Sequence, residues 1–76
     1  MPSNPVPRDA FVFGGGYEAV RGRRRWRNVD ATRLYEWDEA HGHFEVYNAR
    51  GAHLGVAAAR SPRLVMPAVK GRRIDV

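Results

Sequence analysis

Two segments near the middle of the chain alternate between apolar and polar side chains, which is typical of β-strands with one buried face. In residues 32–37, TRLYEW, Leu34 and Glu36 fall on one side of an extended chain and the two aromatic side chains fall on the other. Residues 43–48, HFEVYN, place apolar side chains between polar ones at every second position. The two segments predict a pair of strands joined by a short connection.

Turn residues divide the chain after this pair. NARG at residues 48–51 predicts a turn into a third strand over about residues 53–58, and the Ser-Pro pair at residues 61–62 predicts a turn before a strand over residues 64–66. Residues 72–76 can form a last strand. With no repeat and no helix of useful length, we expect a mainly β fold, a single small domain built as a strongly twisted antiparallel β-meander.

The N-terminal third is harder to assign. MPSNPVP holds three prolines in seven residues, so we expect residues 1–10 to be a Pro-rich linker or disordered lead-in and residues 11–76 to be the folded domain. The glycines at 14–16 can end an edge strand or loosen a loop. Residues 17–21 can make one short helical turn.

Length and composition limit the possible classes of protein. A chain of 76 residues allows one small domain with a modest core, and the absence of cysteine excludes disulfides and thiolate metal sites. The longest apolar run, residues 54–59, is too short to cross a bilayer, and residues 1–7 lack the apolar segment of a signal peptide. We therefore expect no membrane span. If the protein is exported, we expect segments outside this chain to direct the export.

Charge along the chain is segmented. The chain has twelve Arg, one Lys and eight acidic residues, which gives a formal net charge of +5. Five arginines lie in residues 21–27, five acids follow in residues 30–45, and residues 46–74 hold six basic residues and no acid. Guanidinium groups bind phosphate in bidentate fashion, so RNA is a natural partner. A membrane surface is less favoured, because the sequence shows no amphipathic helix. Composition alone equally allows a solvated basic face.

The acidic segment YEWDEAHGHFEVY, residues 35–47, carries candidate chemistry. A carboxylate at a strand end, Asp38, can hold the ring of a histidine three residues on, His41, and Glu45 then completes an orienter, an acid and a base. Such a set can cleave RNA without a metal. The base activates the ribose 2′-hydroxyl, the histidine protonates the departing 5′ oxygen, and an arginine neutralises charge on the phosphoryl oxygens.

Other interpretations of this segment stay open. The pattern D-x-x-H-x-x-x-E is weak by itself and also fits a polar hairpin whose hydrogen bonds are satisfied. His41 and His43 can instead offer two imidazoles to a metal ion, with Asp38 or Glu45 as third ligand. Because His53 is the only other histidine, no closed metal site is expected, and we expect neither a metal nor another cofactor. Trp26, Tyr35, Trp37 and Phe44 are expected in the core and not as platforms that stack on bases; Tyr47 is the best candidate for an exception.

A longer stretch carries a resemblance. RRRWRNVDATRLYEWDEAHGHFEVYNARGAHLG resembles the ribosome-inactivating ribonuclease domain of the nuclease colicins, a domain also found at the C-termini of related bacteriocins and contact-dependent inhibition toxins. In that family a basic run ending in Trp leads, after a short basic spacer, into IYEWD-x-x-HG-x-L-E-x-Y, then a turn and HLG. The likeness covers residues 23 to about 74, with a deletion of one residue in the turn at 49–51.

The resemblance implies roles for the matching residues. Asp38 matches the family's His-orienting aspartate, His41 its catalytic histidine, and Glu45 its catalytic glutamate, proposed as general base. Tyr47 matches a tyrosine beside the site. His43 departs from the family, in which an acid stands at this position, and this leaves open which histidine is the acid.

The family's catalytic arginine lies near the C-terminus. Counting without gaps from His53 places it at Arg72, with Arg73 as the alternative. We expect the remaining substrate contacts from the residues that follow the turn and from the tyrosine: Tyr47, Arg60, Arg63, Lys70 and Arg73.

The resemblance also implies a substrate and partners. The family's substrate is 16S ribosomal RNA, cut at the decoding site, which stops translation; the chemistry above would leave a 2′,3′-cyclic phosphate. A small acidic immunity protein is the expected second partner, and delivery domains are expected on a longer parent chain that leaves the producing bacterium and acts in the cytoplasm of the target cell. The rival functions are a non-catalytic RNA-binding module and a His-dependent metal-binding interaction protein.

Overall fold

Six short strands follow one another along the chain and pair in that same order. The computed structural model describes residues 4–76, within which a 3₁₀ turn, Phe11–Gly14, precedes the sheet. The strands are β1 (Gly16–Val20), β2 (Arg23–Arg27), β3 (Arg33–Asp38), β4 (His43–Asn48), β5 (His53–Ala57) and β6 (Leu64–Pro67). Every neighbouring pair is antiparallel. The predicted mainly β, antiparallel meander of one small domain is confirmed.

The four strands predicted between residues 32 and 66 are present with ends shifted by about one residue. The helical turn predicted at residues 17–21 is wrong, because most of this segment is strand β1. Its side chains find partners across the hairpin: Tyr17 lies opposite Trp26 with ring centroids 5.3 Å apart, and Glu18 forms an ion pair with Arg27. Pairing with β2 thus overrides a weak local helix preference.

The last predicted strand, residues 72–76, is also wrong. One β-bridge, between Ala52 and Arg73, stands in its place, flanked by hydrogen bonds from His53 N to the Arg72 carbonyl (3.0 Å) and from Ile74 N to the Gly51 carbonyl (2.9 Å). The partner segment is a turn, with Gly51 at φ +86°, so it cannot offer the extended ladder that a longer strand needs. No helix in the described part of the chain is long and apolar enough to cross a membrane.

One face of the sheet forms the core. Trp26, Tyr35 and Val46 lie side by side on β2, β3 and β4, and Phe44 beside them is fully buried. Phe11 closes this face from the 3₁₀ turn, with its ring 4.9 Å from that of Tyr35 in an edge-on contact. Trp26, Tyr35 and Phe44 are therefore in the core as expected, and Trp37 packs against it partly buried.

The segment before the 3₁₀ turn contacts the β3–β4 hairpin. Asn4 N–H donates to the Glu39 carbonyl (3.0 Å), and the Trp37 indole donates to the Asn4 carbonyl (2.6 Å). Ala10 is buried. Residues 1–3 of the expected lead-in lie outside the described residues, and the division of the chain at residue 10 stays a prediction.

A bulge in β5 decides which of its side chains reach the opposite, polar face. Val46 pairs with Gly55, whereas Tyr47 pairs with His53, so Leu54 is the extra residue. Gly55 adopts φ +149°, and a Cβ at this position would lie 2.4 Å from the Met66 carbonyl oxygen, which only glycine avoids. Leu54 packs against the core, and His53 turns to the polar face.

Candidate active site

The polar face of the sheet forms a groove of about 620 Å³. Cross-strand register creates it, because paired residues point to the same side of a sheet. Arg25 lies opposite Glu36, and Glu36 lies opposite Glu45. The C-terminal segment closes one side with Arg72 and Arg73. The groove therefore combines five carboxylates with five guanidinium groups.

The turn between β3 and β4 builds an aspartate–histidine pair. One oxygen of Asp38, Oδ1, accepts the N–H groups of Ala40 (3.0 Å) and His41 (3.2 Å), and the other, Oδ2, lies 2.7 Å from His41 Nδ1. Gly42 at φ +69° donates its N–H to the Asp38 carbonyl (2.8 Å) and closes the turn. His41 is thus held through Nδ1, and Nε2 is left to face outward from a side chain that is 70% exposed.

Asp38 is kept ionised by this arrangement. Burial acts to raise its pKa, but the hydrogen bonds from the His41 ring and N–H, together with the charges of His41 and His43, outweigh burial and hold the pKa below its ordinary value. An ionised Asp38 accepts a hydrogen bond from the Nδ1–H group of His41, which fixes the tautomer and the orientation of the ring.

Glu45 contacts three polar side chains in or beside the groove. Its Oε1 lies 2.9 Å from His53 Nε2 and 2.8 Å from Arg72 Nη1, and its Oε2 lies 2.8 Å from His43 Nε2. The three partners come from β5, the C-terminal segment and β4 itself. A carboxylate offers about four lone-pair positions, so three donors leave one for a further hydroxyl.

His53 is a part of the site for which the sequence predicted no role. Its side chain is 0% exposed, and Val69 N–H donates to its Nδ1 (2.8 Å). With Nδ1 an acceptor, the hydrogen-bond network assigns the proton of the neutral ring to Nε2, which donates to Glu45. Its backbone N–H also binds the Arg72 carbonyl. A lone histidine in the apolar run HLGVA was the available signal.

His43 connects the two halves of the site. Its Nε2 lies 2.8 Å from Glu45 Oε2 and 3.5 Å from Asp38 Oδ2. The ring stacks on that of His41, with an interplanar angle of 8° and centroids 5.4 Å apart. The side chain of His43 is only 17% exposed, in contrast to that of His41.

Arg25 and Glu36 form a buried ion pair beside Glu45. Arg25 Nε and Nη2 both donate to Glu36 Oε2, at 3.2 and 3.0 Å, and each side chain is 5% exposed. Arg23 adds a longer contact of 3.8 Å to Glu36. Two carboxylates directly opposite each other repel, so Arg25 makes the Glu36–Glu45 pairing tolerable. In the sequence, the signal for this pair was the basic run RRRWR followed by a strand that carries Glu36.

Tyr47 and the two C-terminal arginines occupy different places in the groove. Burial and the charges of Glu36 and Glu45 raise the pKa of Tyr47, against the influence of Arg72 and Arg23, so its phenol keeps its proton and can donate a hydrogen bond. Arg72 contacts Glu45, whereas the Arg73 guanidinium donates to the Arg50 carbonyl (2.9 Å).

The other predicted RNA contacts lie elsewhere. Arg60, Arg63 and Lys70 are exposed, and the groove's lining within residues 4–76 does not include them. Arg60 Nε donates to an oxygen of Asp9 (2.6 Å). Their contact with RNA stays a prediction, and it requires a substrate that extends beyond the groove.

The buried ion pair supports a test of stability. Arg25→Met should lower the free energy of unfolding by about 3 to 5 kcal/mol, because it leaves the Glu36 carboxylate buried without its guanidinium. Arg27→Met is the matched control on the same strand; its ion pair with Glu18 is about half exposed, so the expected loss is about 0 to 1 kcal/mol. Urea unfolding measures both.

A double variant distinguishes the loss of the ion pair from a general failure to fold. Arg25→Met combined with Glu36→Leu replaces the pair by apolar side chains and should recover most of the lost stability. Equal losses for the Arg25 and Arg27 variants, or no recovery in the double variant, would contradict the role assigned to the buried pair.

The sequence is similar to known proteins. The sequence profile of the family described as Cytotoxic matches residues 5–75. The chain is 39% identical over 51 residues to colicin E3 of Escherichia coli, a match that covers 66% of this chain and 8% of colicin E3. The chain thus spans less than a tenth of that relative's length. A profile match over nearly the whole chain establishes that this protein belongs to the Cytotoxic family of nuclease colicin toxin domains.

Proposed function

We propose that this protein is a toxin endoribonuclease that cleaves 16S ribosomal RNA at the decoding site and stops translation, without a metal cofactor. The observation that carries the proposal is that Asp38, Glu45 and Arg72 line one groove. His41 is hydrogen-bonded to Asp38, and Glu45 is bonded to Arg72. Family membership supports the toxin class, and the arginines lining the groove support an RNA substrate. Delivery by a longer parent chain into the target-cell cytoplasm is part of the proposal.

Glu45 is the proposed general base. It takes the proton from a ribose 2′-hydroxyl through its remaining lone pair, and the 2′ oxygen then attacks the adjacent phosphorus. A P–O2′ bond forms and the P–O5′ bond breaks. The products are therefore a 2′,3′-cyclic phosphate and a free 5′-hydroxyl.

His41 is the proposed general acid. Asp38 binds Nδ1, so a protonated His41 presents Nε2–H to the departing 5′ oxygen. The difference in exposure, 70% for His41 against 17% for His43, favours His41, and the Nε2 of His43 is already bonded to Glu45.

Arg72 is the proposed stabiliser of the transition state. Nη1 binds Glu45 at 2.8 Å, while the side chain is half exposed, so the remaining N–H groups of the guanidinium can bind phosphoryl oxygens as their charge grows. Tyr47, with its proton retained, can donate a further hydrogen bond to the same phosphate.

The chemical test is a single-turnover cleavage assay on ribosomes. Glu45→Gln and His41→Ala should each slow cleavage by on the order of 10² to 10⁴, the usual contribution of general acid–base catalysis, with little loss of RNA binding. Asp38→Asn should cost less than the His41 change if it only orients the ring. Arg72→Ala should slow the chemical step more than Arg73→Ala, its matched neighbour.

Product ends decide the mechanism. We expect 2′,3′-cyclic phosphate and 5′-hydroxyl termini, and a chelator should not lower the rate. A 2′-deoxy nucleotide at the scissile position should abolish cutting. Cleavage at that nucleotide, or 5′-phosphate ends on normal products, would show that water or a metal hydroxide is the nucleophile.

RNA binding should depend steeply on salt. Each phosphate neutralised by an arginine releases counterions, so removing a contact reduces the slope of log affinity against log salt by about 1. Replacing Arg60 and Arg63 with alanine should weaken binding across RNA sequences without changing the bond that is cut. Lysine at the same two positions retains the charge and serves as control. If the slope stays the same in the alanine variant, these two residues do not contact RNA phosphates.

A small acidic immunity protein is the proposed second partner. A net charge of +5 favours rapid, electrostatically steered association with an acidic inhibitor, so its association rate should fall as salt is raised. Co-expression of the protein encoded next to this one should rescue growth of cells that make the toxin. Failure to rescue, or an association rate insensitive to salt, would count against this partner.

A further inference from the structure

Three potential metal ligands converge where β3 turns into β4. Asp38, His41 and His43 each offer one donor atom, and the three atoms lie within 4.8 Å of one another. Asp38 Oδ2 is the centre of the group, 2.7 Å from His41 Nδ1 and 3.5 Å from His43 Nε2. The cluster is therefore compact enough for one ion to contact all three side chains.

The two separations from Asp38 Oδ2 fit a tetrahedral site after a small adjustment. Zinc bonds of about 2.0 to 2.2 Å to imidazole and carboxylate place neighbouring ligand atoms about 3.3 to 3.5 Å apart. The separation of 3.5 Å between Asp38 Oδ2 and His43 Nε2 already fits. The contact of 2.7 Å to His41 Nδ1 must lengthen, and rotation of the exposed His41 ring can supply this change.

The surrounding charges also favour a cation at this position. Within residues 4–76, the ion pairs of Asp38 involve only the two histidines, while Arg72 is engaged by Glu45. The Oε2 atom of Glu45 lies 2.8 Å from His43 Nε2. A metal ion on this nitrogen replaces its proton and its hydrogen bond to Glu45, and Oε2 can then accept a hydrogen bond from water on the ion. Two imidazoles and a carboxylate select zinc-like transition metals over magnesium or calcium.

We propose that Asp38, His41 and His43 bind one divalent transition-metal ion such as Zn²⁺, and that bound metal reversibly inhibits the protein. Three protein ligands leave a fourth position for water, as in open zinc sites. Ligation through Nδ1 replaces the hydrogen bond between His41 and Asp38 and removes both side chains from acid catalysis. The inhibition rests on the proposed ribonuclease function; the binding does not.

Calorimetric titration of the chelator-treated protein tests the binding. One Zn²⁺ should bind per chain, and Mg²⁺ should give no comparable signal. His43→Ala should weaken zinc affinity by at least about tenfold through loss of a ligand. The control is Glu39→Gln, which removes a neighbouring exposed carboxylate that is not in the cluster; its affinity should stay within about twofold of wild type. An equal loss in both variants would mean that diffuse negative charge holds the ion, which would overturn the site.

Wild-type protein supplies a second measurement that needs no variant to fold. On addition of Zn²⁺, the imidazole NMR signals of His41 and His43 should shift, and those of buried His53 should not. No shift, or a shift confined to His53, would overturn the proposal.

Cleavage assays separate binding from function. Zinc should inhibit RNA cleavage by the wild type, and His43→Gln should require about tenfold more zinc, each rate being referred to the same variant in chelator. Zinc bound at the cluster with cleavage unaffected would refute the inhibition. A protein that binds zinc but cuts no RNA with or without chelator would refute the ribonuclease function and leave the metal site standing.

Discussion

The structure depends on satisfying the carboxylate of Glu45. Its donors come from three separate parts of the chain: His43 on the same strand, His53 on β5, and Arg72 on the C-terminal segment. Within residues 4–76 the backbone of that segment pairs with the rest of the chain through one β-bridge, and the Arg72–Glu45 contact adds a side-chain attachment to this pairing. The proposed base thus also positions the proposed charge-stabilising arginine, and altering it affects both.

A charge balance across the sheet makes this arrangement possible. Glu36 and Glu45 face each other directly on β3 and β4, and without a cation between strands their repulsion would oppose pairing. Arg25 neutralises Glu36 in a buried pair, which leaves Glu45 free to engage a different set of donors. The basic run of β2 therefore has two roles: Arg25 acts inside the sheet, while its exposed neighbours add to the positive surface.

Local contacts explain what the sequence could predict. The alternation in β3 and β4 fixes which residues share a face, and the pairing of Asp38 with His41 needs only one turn with glycine at position 42. The place of His53 could not be predicted in this way, because it depends on a bulge in β5 next to Gly55, where the backbone of β6 approaches closely. The wrong last strand has a different cause. Its partner is the turn after β4, which the Asn48 side chain and carbonyl hold by local hydrogen bonds, and a turn offers no extended ladder.

His43 shows how closely the site's possible activities are related. Its Nε2 lies between Glu45 and Asp38, so it joins the side chains proposed for proton transfer to those that can hold a metal. Both activities need imidazole and carboxylate atoms a few ångströms apart. Proton transfer needs a free, outward-facing His41 Nε2 with Asp38 on Nδ1, whereas metal binding occupies Nδ1 and Asp38 together. The same atoms cannot do both at once, so occupancy by a metal ion and catalysis by proton transfer are mutually exclusive states of one hairpin.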